Sequence, residues 1–167
     1  MQRNKKIILG IVLLIMLFVF SSGLIKKTIV YTNVKYKENM TNIELIKDST
    51  RGKPLTLVIG RNSEGDRIAI WMNLRHSYFK PIIEGRVNLE NTITSEMAKQ
   101  IVIDNKLIDD IHHIQLDYYT NPNSPLVEGT YWSLRDDDFL VAYVDINTGE
   151  YYLYNEKTAE YINKSDE

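Results

Sequence analysis

The chain has 167 residues, room for one ordinary domain or two very small ones once any targeting segment is set aside. Its 20 Lys and Arg against 22 Asp and Glu leave a formal charge of -2, so no basic field favours nucleic acid as a partner. There is no cysteine, which excludes a disulfide framework, thiolate metal sites, a thiol nucleophile and a lipidated-cysteine anchor.

From Ile7 to Ile25 no charge interrupts the chain, and only Gly10, Ser21, Ser22 and Gly23 break its apolar character. As a helix this run measures about 28 Å, against about 30 Å of bilayer hydrocarbon, so it predicts a transmembrane anchor. Arg3, Lys5 and Lys6 precede it and Lys26 and Lys27 follow. The charge difference is slight, yet a short basic tail is seldom translocated, which places the N-terminus in the cytoplasm and the rest outside. The competing reading is a cleaved signal peptide, with Ser21-Ser22-Gly23 supplying small residues for the peptidase. A buried core helix would show a polar face, and this run shows none.

Residues 28–39 read as a membrane-proximal stalk that continues as a helix to about Asp48, because Tyr36, Met40, Ile43 and Ile46 recur at spacings of four, three and three. Beyond the breakers Ser49 to Pro54, the segment from Leu55 to Ile59 and the segment from Ile68 to Leu74 flank a turn at Asn62 to Asp66, a β-hairpin. Tyr78 to Ile83 contains Pro81, which lacks an amide donor and belongs on an edge strand.

A second unit opens at Thr94, an expected helix N-cap, with Glu96 in the first turn where the helix dipole favours negative charge. Met97, Ile101, Val102 and Asn105 trace its expected buried stripe, ending near Lys106. A strand from Ile111 to Tyr118 follows, with the even-numbered residues on its apolar face. After the loop Asn121 to Gly129 come strands at Tyr131–Leu134 and Phe139–Ile146, joined across Arg135 to Asp138. The turn Asn147-Thr148-Gly149 then leads into Tyr151–Tyr154. From Asn155 onward a polar, frayed tail is expected. The two halves repeat one plan, and Ile68–Asn73 aligns with Leu140–Asp145.

The helix start Thr94-Ser95-Glu96-Met97-Ala98, then Trp132, then the strand and turn Ala142 to Glu150 resemble the PepSY module. With the anchor, and a degenerate first copy bearing Ile70-Trp71-Met72, the whole chain is similar to the TseB (YpmB) type of cell wall elongation regulator of Gram-positive bacteria. The resemblance implies an α+β protein: an N-terminal transmembrane helix followed by two small helix-on-antiparallel-sheet units of PepSY or cystatin-like kind. The segments expected are 1–27 for tail and anchor, 28–90 for the stalk helix and first unit, 91–155 for the second unit, and 156–167 for the tail. It further implies that the units bind a class B penicillin-binding protein and modulate peptidoglycan synthesis, with no catalysis, cofactor or small-molecule substrate. The chain departs from the family pattern at Arg135 to Asp138 and in the loop Asn121 to Gly129, where any partner contact is therefore in doubt.

The residues supply few rivals to that reading. His112 and His113 are adjacent, so within one strand they would point to opposite faces and could not jointly hold a metal; His76 stands alone near a turn. Asp136-Asp137-Asp138 lacks the spaced ligands of a calcium loop, and Asp109-Asp110 sits in a connection. The glycines at 52, 60, 65, 85, 129 and 149 lie at or near turns without forming a phosphate loop, and no nucleophile elbow or zinc-protease motif is present.

What remains is aromatic: Tyr118, Tyr119, Tyr131, Trp132, Tyr143, Tyr151, Tyr152 and Tyr154 crowd into the second unit. Strand packing explains many of them. Alternation must still expose some, and exposed rings anchor protein interfaces, so the partner surface is expected on this sheet at Trp132, Tyr143, Asp145 and Tyr151. Inhibition of an extracellular peptidase, or service as accessory to a sensor kinase, are the alternatives.

Overall fold

The computed structural model describes residues 11, 23–48, 54–75, 80–120 and 126–164. Most of the predicted membrane run, together with His76, Tyr78 and Gly52, lies outside them. Among the described residues no helix is long and apolar enough to cross a membrane. The chain is α+β, with two antiparallel sheets of four and five strands and two helices among the described residues. It divides into two compact units whose boundary falls after Glu84.

In the first unit helix α1 covers residues 23–37. It stops because Asn39 adopts φ 55°, a left-handed conformation that asparagine tolerates and a helix cannot continue through; the Met40 amide then bonds back to the Val34 carbonyl at 3.1 Å. The expected continuation to Asp48 is instead strand β1 (Asn42–Asp48). It pairs with β2 (Leu55–Arg61), which pairs with β3 (Arg67–Asn73), and β4 (Ile82–Asn88), the strand that contains the boundary at Glu84, completes the order β1-β2-β3-β4.

The misleading helical spacing has a local cause. The β1–β2 register shifts between Ile43 and Leu45, so Ile43 and Ile46 turn to the same side despite an odd separation. Both pack on the cluster of Val30, Val34, Met40, Val58, Ile68, Ile70 and Met72 that joins α1 to the sheet. Across from the bulge, a β-carbon on Gly60 would stand 2.3 Å from the Asn42 carbonyl oxygen.

The β2–β3 hairpin forms with Leu55 opposite Asn73 and Arg61 opposite Arg67. Its turn is held by Asn62, whose side-chain oxygen accepts from the amides of Glu64 and Asp66, and Gly65 supplies φ +93°. On the sheet's other face Leu55, Leu57, Ile59 and Trp71 are also buried. The edge strand near Pro81 runs later than expected. It starts just after the proline and runs on to Asn88, five residues past the expected end at Ile83.

In the second unit helix α2 (Ser95–Asp104) begins as the sequence indicates: the Thr94 hydroxyl accepts from the Met97 amide at 3.2 Å. Glu96 is held below the usual carboxylate range by its own backbone amide, then by Ser95 and Thr94. The buried face, however, is Ala98 and Val102, while Met97 is 54% exposed. Val102 and Ile101 of the expected stripe do face the core, and the stripe begins at the small Ala98 in place of Met97.

Five strands follow in simple order: β5 (His113–Tyr119), β6 (Gly129–Arg135), β7 (Leu140–Asp145), β8 (Tyr151–Asn155) and β9 (Glu160–Lys164). The Asp145–Gly149 turn uses Gly149 at φ +80°. The segment expected to fray after Asn155 turns at 156–159 and returns as β9 on the edge of the sheet.

The internal alignment has a structural counterpart. β3 and β7 are each the third strand of their sheet. Ile68, Ile70 and Met72 face the α1 cluster, as their aligned partners Leu140, Ala142 and Val144 face the α2 cluster.

Candidate functional site

The second sheet has two unlike faces. The α2 side carries Ile114, Leu116, Leu134, Ala142, Val144 and Leu153, joined by Ala98, Val102, Leu107 and Ile108. The even-numbered face predicted for β5 is therefore the apolar face.

The opposite face is a row of tyrosines. Tyr131, Tyr143 and Tyr152 are buried with Val141 and Leu126, and Tyr119, Tyr154 and Tyr161 pack around them. The rings meet edge to face: Tyr119 and Tyr143 at 6.1 Å, Tyr131 and Tyr143 at 6.5 Å, Tyr131 and Tyr152 at 6.2 Å. These are the offsets aromatic quadrupoles prefer, so the tyrosines form a packed layer. Burial, aided by the negative charge of Asp145, pushes the Tyr131 phenol up to about 12. Burial also raises Tyr143, next to Tyr119 and Asp117. Both stay neutral at physiological pH and are unsuited to proton transfer there.

Along β5 and β6 this face turns polar. Gln115, Asp117 and Ser133 are buried. The Gln115 amide donates to one Asp117 carboxylate oxygen and the Ser133 hydroxyl to the other, each at 2.6 Å. Beside them opens a groove of about 310 Å³, lined also by His112, His113, Arg135, Asp136 and Asp137. His112 lies just before β5, so the two histidines line one groove; the expectation of opposite faces assumed that both were in the strand. The His112 Nε2 stands 3.4 Å from both Asp110 and Asp137, and the His113 Nε2 3.3 Å from Gln115. Among the described residues no group of three His, Asp or Glu could hold a metal ion.

The four residues expected to form the partner surface do not share one face. Trp132 lies on the α2 side, half-buried, and its indole N–H donates to the Ile93 carbonyl at 2.7 Å. Tyr151 is on the same side, with its hydroxyl 3.3 Å from Asn105. Tyr143 is buried in the tyrosine layer. Asp145 ends β7 and accepts from the amides of Asn147 and Thr148. Sequence reasoning missed the Gln115–Asp117–Ser133 row, although alternation along β5 places 115 and 117 together; the pairing of Gln115 with Ser133 across strands was not visible in either segment alone.

No family model matches this chain, and no curated protein does. Among solved structures, the YpmB protein from Bacillus subtilis is similar, with a TM-score of 0.46 and 15% identity; the match covers 78% of this chain and 91% of that one.

Proposed function

We propose that this chain is a membrane-anchored extracytoplasmic binding protein of two PepSY-like units that regulates cell wall elongation by engaging a class B penicillin-binding protein. The observation that supports the anchored part is where the apolar run ends. Its last residues, 23–25, already belong to α1, and α1 supplies Val30 and Val34 to the core of the first unit. The first unit therefore begins with no spacer after the hydrophobic segment. The N-terminus is cytoplasmic and both units are outside.

A binding role rather than a chemical one fits the polar groups described above. The buried Asp117 is occupied by Gln115 and Ser133, and the raised phenols of Tyr131 and Tyr143 hold their protons tightly at neutral pH. The choice of partner rests on the resemblance of Thr94–Ala98, Trp132 and Ala142–Glu150 to the PepSY module. Of the four candidate residues, half-buried Asp145 and Tyr151 at the two ends of the β7–β8 turn make the contact, with Trp132 and Tyr143 supporting them from within the sheet.

Crosslinking in living cells, followed by purification in mild detergent, tests this reading. A membrane transpeptidase is expected in the crosslinked product, and its yield is expected to fall with Tyr151→Ala. Recovery of the chain alone under conditions that capture other membrane complexes would refute it.

A further inference from the structure

The first unit carries a second kind of surface at the start of α1. Leu24 and Ile25 are 66% and 56% exposed, a poor arrangement for a helix in water. Lys26 follows, and its ammonium reaches across to β1, meeting both carboxylate oxygens of Asp48 at 2.7 and 2.6 Å. The Thr56 hydroxyl donates to the same carboxylate at 2.7 Å, so helix, β1 and β2 are tied at one point. Burial raises the Asp48 carboxyl, but the Lys26 and Thr56 bonds outweigh it and hold the group below its usual range.

The tie fixes a height. Lys26 is one residue, about 1.5 Å of helical rise, beyond the last apolar residue. Whatever plane bounds Ile25 therefore also passes close to the far end of β1. Among the described residues, exposed Lys27 on the helix and exposed Lys47 on the strand sit at that level, beside Asp48, which is engaged by Lys26. A crevice of about 120 Å³ opens there between the helix and the strands, lined by Gly23, Lys26, Lys27, Ile46 and Thr56 among others.

We propose that this end of the first unit is seated on the bilayer, with Leu24 and Ile25 at the acyl boundary and Lys27 and Lys47 against anionic lipid headgroups. The inference rests on the anchored reading above and adds to it that a sheet residue, far from the anchor in sequence, is held at the membrane surface. Lipid is the occupant because the apolar run ends where the exposed cations begin, which is the order of layers in a bilayer leaflet. The β2–β3 turn is at the opposite end of the strands, about 20 Å away at the rise of a β-strand.

The chain has no cysteine, so single cysteines introduced for nitroxide labels report without background. The full chain would be labelled in turn at Leu24→Cys, Lys47→Cys and Ser63→Cys and reconstituted in phosphatidylglycerol or phosphatidylcholine vesicles. Collisions with oxygen and with a water-soluble nickel chelate then give depth. Label 24 is expected to favour oxygen, label 63 to be fully open to nickel, and label 47 to be shielded from nickel several-fold relative to 63, with less shielding in phosphatidylcholine or with Lys27→Glu. Equal exposure of labels 47 and 63, with label 24 still in the acyl region, overturns the seating while leaving the anchor intact. An aqueous label 24 overturns the anchor and the seating together. Equal shielding in both lipids overturns anionic headgroups as the partner.

Discussion

Replacing Gly60 by alanine isolates the cost of the bulge that sets the first sheet's register. The added methyl would lie 2.3 Å from the Asn42 carbonyl oxygen and 2.8 Å from the Met40 methyl. The methionine end can swing aside, but the carbonyl belongs to β1 and falls about 1 Å short of ordinary contact. Relief requires β1 to move off β2, and β1 carries Ile43, Ile46 and the Asp48 tie. Overpacking of this kind costs about 1–3 kcal/mol, and a loosened ladder bond adds about 1. The alanine recovers about 0.4–1 kcal/mol through the unfolded chain. The net is a loss of about 1–3.5 kcal/mol, or about 2–14 °C in Tm for a chain of this size. Thermal unfolding of the full chain in detergent, followed by far-ultraviolet circular dichroism, measures it. A Tm equal to that of the parent would refute the steric reasoning.

Two further outcomes follow from the second unit. Trp132→Phe keeps most of the ring but removes the donor to Ile93, and is expected to lower stability by about 1–2 kcal/mol in urea unfolding monitored by circular dichroism; an unchanged midpoint would show that this bond contributes nothing. The raised phenols of Tyr131 and Tyr143 mean that the folded state holds these protons more tightly than the unfolded one, so their contribution is complete below pH 10 and is lost as pH rises toward and past 12. Spectroscopic titration should show two tyrosines ionising late and together with loss of structure; eleven tyrosines titrating as one group near 10 would contradict the packed layer.

Much of the second unit was legible because its signals are local. Thr94 and Glu96 mark a helix start by chemistry within one turn, Gly149 supplies the φ its turn needs, and alternation in β5 named the buried face. What was hidden depended on partners distant in sequence. The register shift at Ile43 and Leu45 exists only through pairing with β2, and it converted a strand into a pattern with helical spacing. Strand β9 is polar because it lies at an edge, and nothing in Glu160–Lys164 alone separates such a strand from a tail. The site was legible as a concentration of rings, but not in how they divide. Tyr143 and Trp132 differ by one in parity across paired strands, and that alone sends them to opposite faces.

That last strand also protects the molecule from its own kind. β8 reads Tyr-Tyr-Leu-Tyr-Asn, and without β9 it would be the rim of the sheet, an aromatic run with open amides of the sort that templates self-association. Covering it with β9, which opens on the charged Glu160, replaces a sticky aromatic border by a more polar one. A chain shortened to Asn155 would therefore precipitate or oligomerise through β8 even if its interior were sound, and the modest C-terminus acts as a solubility guard.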